Sequence, residues 1–494
     1  MNEVSSRFNL LSFTGKMRVL HLTWIAFFIS FMVWFSHAGL MVFIRETLGL
    51  SAVEVNTLIA LNLALTIPSR VIVGMLVDKY GPRLLFAGIL ILGGLVTFTF
   101  ALAENYQQIA ISRFLLGFVG SGFVVGIRII GEWFPAKEAG LAQGIYGGWG
   151  NFGSAAGIIL LPFLAQSVFG DDDGWRIAVG IAGSISIVYG VFYYFAVQNN
   201  PKGSTYFKPK KMGGLEVTSK GDLALYLLMN IPLYLALGLL CWKLSPAKLN
   251  FIGNTLSYSI YALLIVVYFF QSWKIISINK AIFTAPVPEL HRYSFSQVAV
   301  LDLAYMVTFG TELILVQMLA LFYVDYFGAD KLLATILAGL FPFINLVARP
   351  GGGWISDKIG RKRTLVIVFS GITASFILLS QVEATWSLGV VVMITLVAGV
   401  FAKGGSGAVF AMVPLIQRRY TGQIAGMAGA YGNVGGVAFS LVLLETGSPH
   451  ALFMSVGIVA AAVLVSTLLF LKEPKGHMTE ILEDGSVQLI SVEK

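Results

Sequence analysis

IPSRVIVGMLVDKYGPR, residues 67–83, and LVARPGGGWISDKIGRK, residues 346–362, are two versions of one segment. Shifted by 279 residues, Arg70, Gly74, Asp78, Lys79 and Gly81 fall on Arg349, Gly353, Asp357, Lys358 and Gly360. A second pair follows at a shift of 282, which lays Gly140, Gly144, Gly147, Gly150, Asn151 and Gly153 on Gly422, Gly426, Gly429, Gly432, Asn433 and Gly435. The small change of offset is what a loop of different length would cause. The chain is a duplication, and the residues around the repeats say of what.

Of 494 residues, 57% are hydrophobic and 12% charged, against about 45–50% and about 25% in an ordinary soluble domain. A water-soluble enzyme is thereby excluded. The apolar residues come in runs that approach the roughly 20 residues needed to cross a bilayer as a helix. Six runs near 20–42, 52–77, 84–103, 108–131, 141–166 and 176–197 make a first half; six near 299–324, 332–355, 364–382, 388–415, 420–444 and 450–471 make a second. Between them, 223–242 and 256–270 are apolar enough to insert.

We therefore expect an all-α polytopic membrane protein of 14 spans, six plus two plus six, with 12 spans and an interfacial hairpin as the alternative. The expected organisation is a cytoplasmic N-terminus (1–19), an N-terminal six-helix bundle (20–197), a central linker with two extra helices (198–296), a C-terminal six-helix bundle (297–471) and a cytoplasmic tail (472–494). Both copies of the repeat enter the membrane in the same direction, so a pseudo-twofold along the membrane normal and a shared central chamber are expected.

The net charge of +8, from 33 Lys and Arg, would suggest nucleic acid in a soluble chain. With Arg7, Lys16 and Arg18 placed inside, most basic residues fall in cytoplasmic segments, so the excess reports orientation and no nucleic-acid partner follows. The expected location is a plasma membrane or bacterial inner membrane, with both termini cytoplasmic. The first apolar run is too long for a signal-peptide core and is read as a retained span. One cysteine, Cys241, cannot close an internal disulfide. No metal-ligand spacing, cofactor motif, P-loop or nucleophile motif is present, so neither an enzyme nor a bound cofactor is expected.

The loops after the duplicated segments have the pattern of a gate: Asp78 with Arg83, and Asp357 with Arg361 and Lys362, lie where a carboxylate can bond helix-end N–H groups and basic side chains and hold one access state shut. Arg70 and Arg349 each precede their Asp by eight residues, about 12 Å at about 1.5 Å per residue. That is near mid-membrane, where an arginine costs roughly 2.5 to 3.5 kcal/mol. Only Glu312 is expected at the same depth, since Glu132 and Asp302 fall toward the cytoplasmic ends of their spans, and Lys403 adds another cation. One acid cannot neutralise two arginines, so the chamber should be net positive and suit an anion. Planar forked guanidiniums favour a flat, multi-oxygen anion over a spherical halide. The glycines at 144, 147, 148, 150, 153 and 157 and at 426, 429, 432, 435 and 436 allow near backbone contact between helices. Asn151 and Asn433 sit inside those faces, where an amide can bond either substrate or a neighbouring helix.

The doubled Gly-x-x-x-Asp-x-x-Gly loop resembles the signature of the major facilitator superfamily. Gly148-Trp149-Gly150-Asn151-Phe152-Gly153 and Ala430-Tyr431-Gly432-Asn433-Val434-Gly435 resemble the two signature helices of its nitrate/nitrite porter family. Gly117 to Phe123 and Tyr305-x-x-Thr308-Phe309-Gly310 resemble that family's fourth and seventh helices. The resemblance covers both halves and not the 223–270 insert. It implies a major facilitator fold and a secondary transporter importing nitrate, and nitrite, by proton-coupled symport. In that reading Arg70 and Arg349 bind the anion's oxygens, Asn151 and Tyr305 donate further bonds, and Phe123 with Phe410 sandwiches it, with Asn433 as a further candidate. Glu312 either relays a proton or neutralises Arg349 or Lys403. The rivals are a nitrate/nitrite exchanger, a nitrite exporter and a nitrate-sensing receptor; protons or another coupling ion, the lipid bilayer and a monomeric state complete the expectation.

Overall fold

The computed structural model describes residues 8–37, 65–170, 173–204, 206, 213–248, 250–284, 293–329, 331–473, 477–481 and 487–491, with isolated positions between 40 and 62. Sixteen α-helices occur among the described residues. In the first half these are α1 (Gly15–Trp34), α2 (Thr66–Tyr80), α3 (Pro82–Ala101), α4 (Tyr106–Leu116), α5 (Gly122–Trp133), α6 (Ala136–Phe163) and α7 (Gly174–Ala196). The insert gives α8 (Lys220–Leu244) and α9 (Asn254–Ile278). The second half supplies α10 (Phe295–Phe327), α11 (Lys331–Phe343), α12 (Asn345–Ile359), α13 (Arg361–Leu379), α14 (Leu388–Ile416), α15 (Thr421–Thr446) and α16 (Pro449–Phe470). Among the described residues, eleven helical segments are long and apolar enough to cross a membrane.

Local chemistry explains the boundaries. Asn105, Ser219 and Ser448 cap α4, α8 and α16 by accepting from the backbone N–H three residues on, the usual service of such residues at an N-cap. The α2–α3 and α12–α13 corners turn on Gly81 (φ +89°) and Gly360 (φ +104°), a backbone region costly to any residue with a Cβ. The run read as one helix over 108–131 is interrupted by the 3-10 turn Gly117–Ser121. The run over 332–355 breaks at Ile344, two residues past Pro342, whose ring nitrogen cannot bond the preceding turn. The span expected at 52–77 lies partly outside the described residues and otherwise runs on to Tyr80. One departure from an all-α chain occurs among the described residues: within the polar tail, β1 (His477–Ile481) pairs antiparallel with β2 (Val487–Ser491).

Within the first half α1 packs on α6 and α3 on α7; within the second α10 packs on α15 and α13 on α16. The halves meet along two seams, α2 with α15 and α6 with α12, and glycine lines both. A Cβ on Gly74 would meet the Gly422 carbonyl oxygen at 2.4 Å, and one on Gly144 would meet that of Arg349 at 2.6 Å. The backbones of the two halves therefore touch where bulkier residues would hold them apart. In the insert, α8 lies against α10 and α15, while α9 packs on α8 and turns Leu263, Ile265, Val266, Phe269 and Phe270 outward. An apolar exterior of this kind suits hydrocarbon, not water.

Candidate functional site

Arg70 of α2 and Arg349 of α12 both point inward to one aromatic ring. Their guanidinium carbons stand 5.5 Å and 5.3 Å from the centroid of Phe123 on α5. Arg70 Nε donates to the Gly120 carbonyl (3.2 Å) and Nη1 to that of Gly429 across the seam (2.7 Å), while Arg349 Nη2 donates to the Tyr305 hydroxyl (3.0 Å). Neither arginine forms an ion pair among the described residues. Each keeps one buried amino group, Nη2 of Arg70 and Nη1 of Arg349, without a hydrogen-bond partner. Solvent does not reach them, at 0% and 1% exposure.

Aromatic rings close the rest of the chamber. Tyr305 lies parallel to Phe123 (5.9 Å, 3°) and to Phe309 (5.1 Å, 5°). Phe410 of α14 meets Phe123 and Tyr305 edge-on, both at 4.6 Å. Phe123 and Phe410 are thus not a pair of parallel plates, and a flat guest lying between their faces requires Phe410 to turn. Arg70 is further flanked by Phe309 (5.1 Å) and Trp34 (6.0 Å). Such quadrupole faces attract a cation without cancelling its charge.

The amides differ from each other. Asn151 is buried with both amide atoms unpartnered, whereas Asn433 donates to the Gly429 carbonyl of its own helix (3.1 Å) and leaves only its oxygen open. Glycines set how close these groups come. Gly147 lies under Arg349 and Gly429 under Arg70, where an added Cβ would stand 2.7 Å from Arg349 Nε or 3.1 Å from Arg70 Cδ. Gly150 and Gly153 admit Phe27 and the Phe28 backbone, and Gly432 and Gly435 admit Tyr305 with Phe309 and the Met306 backbone.

Glu312 and Lys403 belong to each other. Lys403 Nζ is 3.1 Å from Glu312 Oε1, which also accepts from the Asn345 amide at 2.5 Å, and the ammonium sits 4.1 Å from the Phe341 ring. Asn345 lies one turn before Arg349 on α12, so this neutral pair borders the chamber without discharging the arginines.

The two aspartates bridge the halves. Asp78 accepts from the N–H groups of Gly422 and Gln423, both at 2.8 Å, in the first turn of α15, where such donors lack partners within their own helix. Asp357 accepts from Gly140 (3.0 Å) and Leu141 (2.8 Å), one turn further into α6. Each carboxylate therefore anchors a helix of the opposite half. Arg361 pairs with Asp357 at 3.3 Å. Arg83 does not pair with Asp78: its guanidinium lies over Tyr194 at 4.3 Å, and its backbone N–H donates to Asn199. The cation on Asp78 is Arg128 of α5, at 3.2 Å.

Sequence reading missed Arg128 as the centre of a buried network. It pairs with Glu132 at 2.9 Å, donates to the Tyr206 hydroxyl and to the Arg418 carbonyl, and Glu132 in turn accepts from Arg418 of the other half at 3.3 Å. The available signal was the Arg-x-x-x-Glu spacing on one helix face. Arg418 and Tyr206 stand in distant segments and carried none.

Paired cations are thus sealed between two helical bundles, with a carboxylate anchor on each side. The profile of the Major Facilitator Superfamily matches residues 23–439 and 301–491. The human organic anion transporter MFSD10 (TETRAN) superposes with a TM-score of 0.61 at 11% identity, covering 92% of this chain and 100% of that one. The proton:xylose symporter XylE superposes with a TM-score of 0.61 at 15%, covering 93% and 96%. Those likenesses speak to fold alone. In sequence, the nitrate/nitrite transporter NrtP of Nostoc punctiforme is 43% identical over 480 residues, 96% of each chain, and NrtP of a Picosynechococcus species is 42% identical over 515 residues, again 96% of each. The high-affinity nitrate transporter 2.3 of rice is 25% identical over 445 residues, covering 88% of this chain and 73% of that one. The chain belongs to the nitrate/nitrite porter family of the major facilitator superfamily, a multi-pass membrane transporter and not an enzyme.

Proposed function

We propose that this protein imports nitrate, and nitrite, by alternating access, with protons as the coupling ion. The observation that carries this is the pair Arg70 and Arg349: two guanidiniums on one aromatic ring, neither in an ion pair among the described residues, each with an unpartnered buried amino group. Fixed positive charge in a dry site demands an anion, and two forks from opposite halves suit a small planar oxyanion. Asn151, with both amide atoms open, and the Tyr305 hydroxyl supply further hydrogen bonds; Phe123 and a turned Phe410 cover the guest's faces. The NrtP relatives bear nitrate and nitrite in their names, which supports the same choice.

In this reading the molecule has 14 spans, the halves related by a pseudo-twofold, and works as a monomer in a plasma or bacterial inner membrane. Both termini and the Asp78–Asp357 end face the cytoplasm, so the structure corresponds to a state shut on that side. Glu312 neutralises Lys403. Moving an anion inward against an inside-negative potential costs about 2.3 kcal/mol per charge per 100 mV, which is the reason for coupling to protons.

Reconstitution in proteoliposomes tests the proposal. An inward proton gradient should drive nitrate accumulation, and Arg70→Lys or Arg349→Lys should abolish it with the protein still inserted. Uptake driven only by internal nitrite would make the protein an exchanger; saturable binding without flux under any gradient would make it a receptor.

A further inference from the structure

Five acidic residues are buried in the described part of the molecule: Asp78, Glu132, Asp302, Glu312 and Asp357. Four have partners. Asp78 and Asp357 each take two backbone N–H groups and an arginine, Glu132 takes Arg128 and Arg418, and Glu312 takes Lys403 and Asn345. Asp302 of α10 is 0% exposed, and both its oxygens lack a hydrogen-bond partner. No cation forms an ion pair with it among the described residues.

Among the described residues, Tyr226 of α8 and Tyr431 of α15 are the titratable groups within electrostatic reach of Asp302. The Tyr431 hydroxyl donates to the Met229 carbonyl on α8 (2.6 Å), and that of Tyr226 accepts from the Leu215 N–H. Tyr293, just before α10, is influenced by Asp222 and Glu216. Of the other elements packed on α10, α11 has no titratable group among its described side chains, α14 has its Lys403 paired with Glu312, and α16 has its His450 bonded to Ser380 and Tyr326 at the far end of α10. An ionised carboxylate with no donor in such a place carries a desolvation cost of several kcal/mol or more, and the group neutralises instead.

We propose that Asp302 is the proton-binding site that couples substrate movement to proton entry. The proposal rests on the symport reading given above. In the state seen here the side chain is a neutral acid, holding one proton on its carboxyl. When the Asp78 and Asp357 anchors part and water enters, the proton leaves for the cytoplasm and a carboxylate remains; it takes up its next proton once those anchors have closed again and the molecule has opened to the other side. Position links this step to the anion. Asp302 is one turn before Tyr305, which holds Arg349, and its neighbour Tyr431 adjoins Gly432, whose missing side chain admits Tyr305 and Phe309. A charge appearing at Asp302 disturbs the α10–α15 packing on which both arginine contacts depend. The inserted helix α8 gains a role here, as the wall that keeps Asp302 dry.

The test uses the purified full chain in proteoliposomes. Wild type should accumulate nitrate on an inward proton gradient and take up protons with a nitrate pulse; if it does neither, the symport reading itself fails. Asp302→Asn, fixed in the neutral form, should lose gradient-driven accumulation by at least about tenfold and retain nitrate–nitrate counterflow that no longer varies with pH. Asp302→Glu should restore proton-driven accumulation with a displaced pH profile. Full accumulation by Asp302→Asn, with wild type coupled, would overturn the assignment, as would loss of counterflow in both variants. Should Asp302→Asn fail to insert, Asp302→Glu decides: an unshifted pH profile overturns the proposal.

Discussion

Arg70 and Gly429 belong to opposite halves of the chain and are joined by a 2.7 Å hydrogen bond from the guanidinium to the carbonyl. The same glycine leaves the room in which the arginine's stem lies. The counterpart is Gly147 under Arg349, again across the seam. Each charged fork therefore lies against a glycine of the other half, and Arg70 is bonded there as well.

Gly147→Ala places a methyl 2.7 Å from Arg349 Nε and Gly429→Ala one 3.1 Å from Arg70 Cδ. Both end on movable side-chain atoms, so the fold should survive while the forks shift. We expect nitrate uptake to fall by about tenfold or more, since misplacing a positioning group by about 1 Å costs up to about a hundredfold. Unchanged protein yield with reduced initial rates in proteoliposomes checks this. The effect should be larger at Gly147.

Gly353→Ala is a different case. Its Cβ would collide with the Gly140 backbone carbonyl oxygen, which cannot swing aside. The α6–α12 seam should fail to close, leaving the protein open at the Asp357 end. With Cys241→Ser and Val124→Cys added, labelling of the new thiol by a charged reagent supplied from the Asp357 end should accelerate strongly over the Gly353 parent.

Asp78→Asn removes the charge facing Arg128 and replaces one of the two oxygens that accept from the Gly422 and Gln423 N–H groups by a donor. Breaking one member of a buried ion pair typically costs about 3–5 kcal/mol, so a marked drop in thermal unfolding temperature is expected, along with faster labelling in the same cysteine assay. Arg83→Ala, whose guanidinium lies on Tyr194, should do far less.

Lys403→Met leaves Glu312 buried without its cation and should destabilise the protein by a similar amount. The double variant Lys403→Met with Glu312→Gln should recover part of that loss. Thermal unfolding of the single and double variants closes the cycle, and additive losses would show that the two do not act as a pair.

The duplicated features were legible because a repeat marks residues that single-site reasoning cannot. Arg70, Arg349, Asp78, Asp357 and the glycines all stood out by their offsets, and the structure brings the arginines to one ring and the aspartates to opposite helices. What stayed hidden depends on distant partners. Arg128 is surrounded by residues from α2, its own helix, the linker and the segment before α15, and no local pattern joins those. Arg83 matched its expected loop but turned to Tyr194, since Arg128 already occupied the Asp78 carboxylate. Asp302 read as a residue near a span end; only packing by α8 and α15 makes it dry.

The crossed anchoring by Asp78 and Asp357 has a mechanical result. Separating the halves strips the donors of α15 and of α6 in one movement, yet freeing one seam alone gives up its bonds while the other still bars passage. A half-unlatched molecule gains nothing for that loss, so partial leakage is disfavoured and the door at the Asp78–Asp357 end behaves as a toggle.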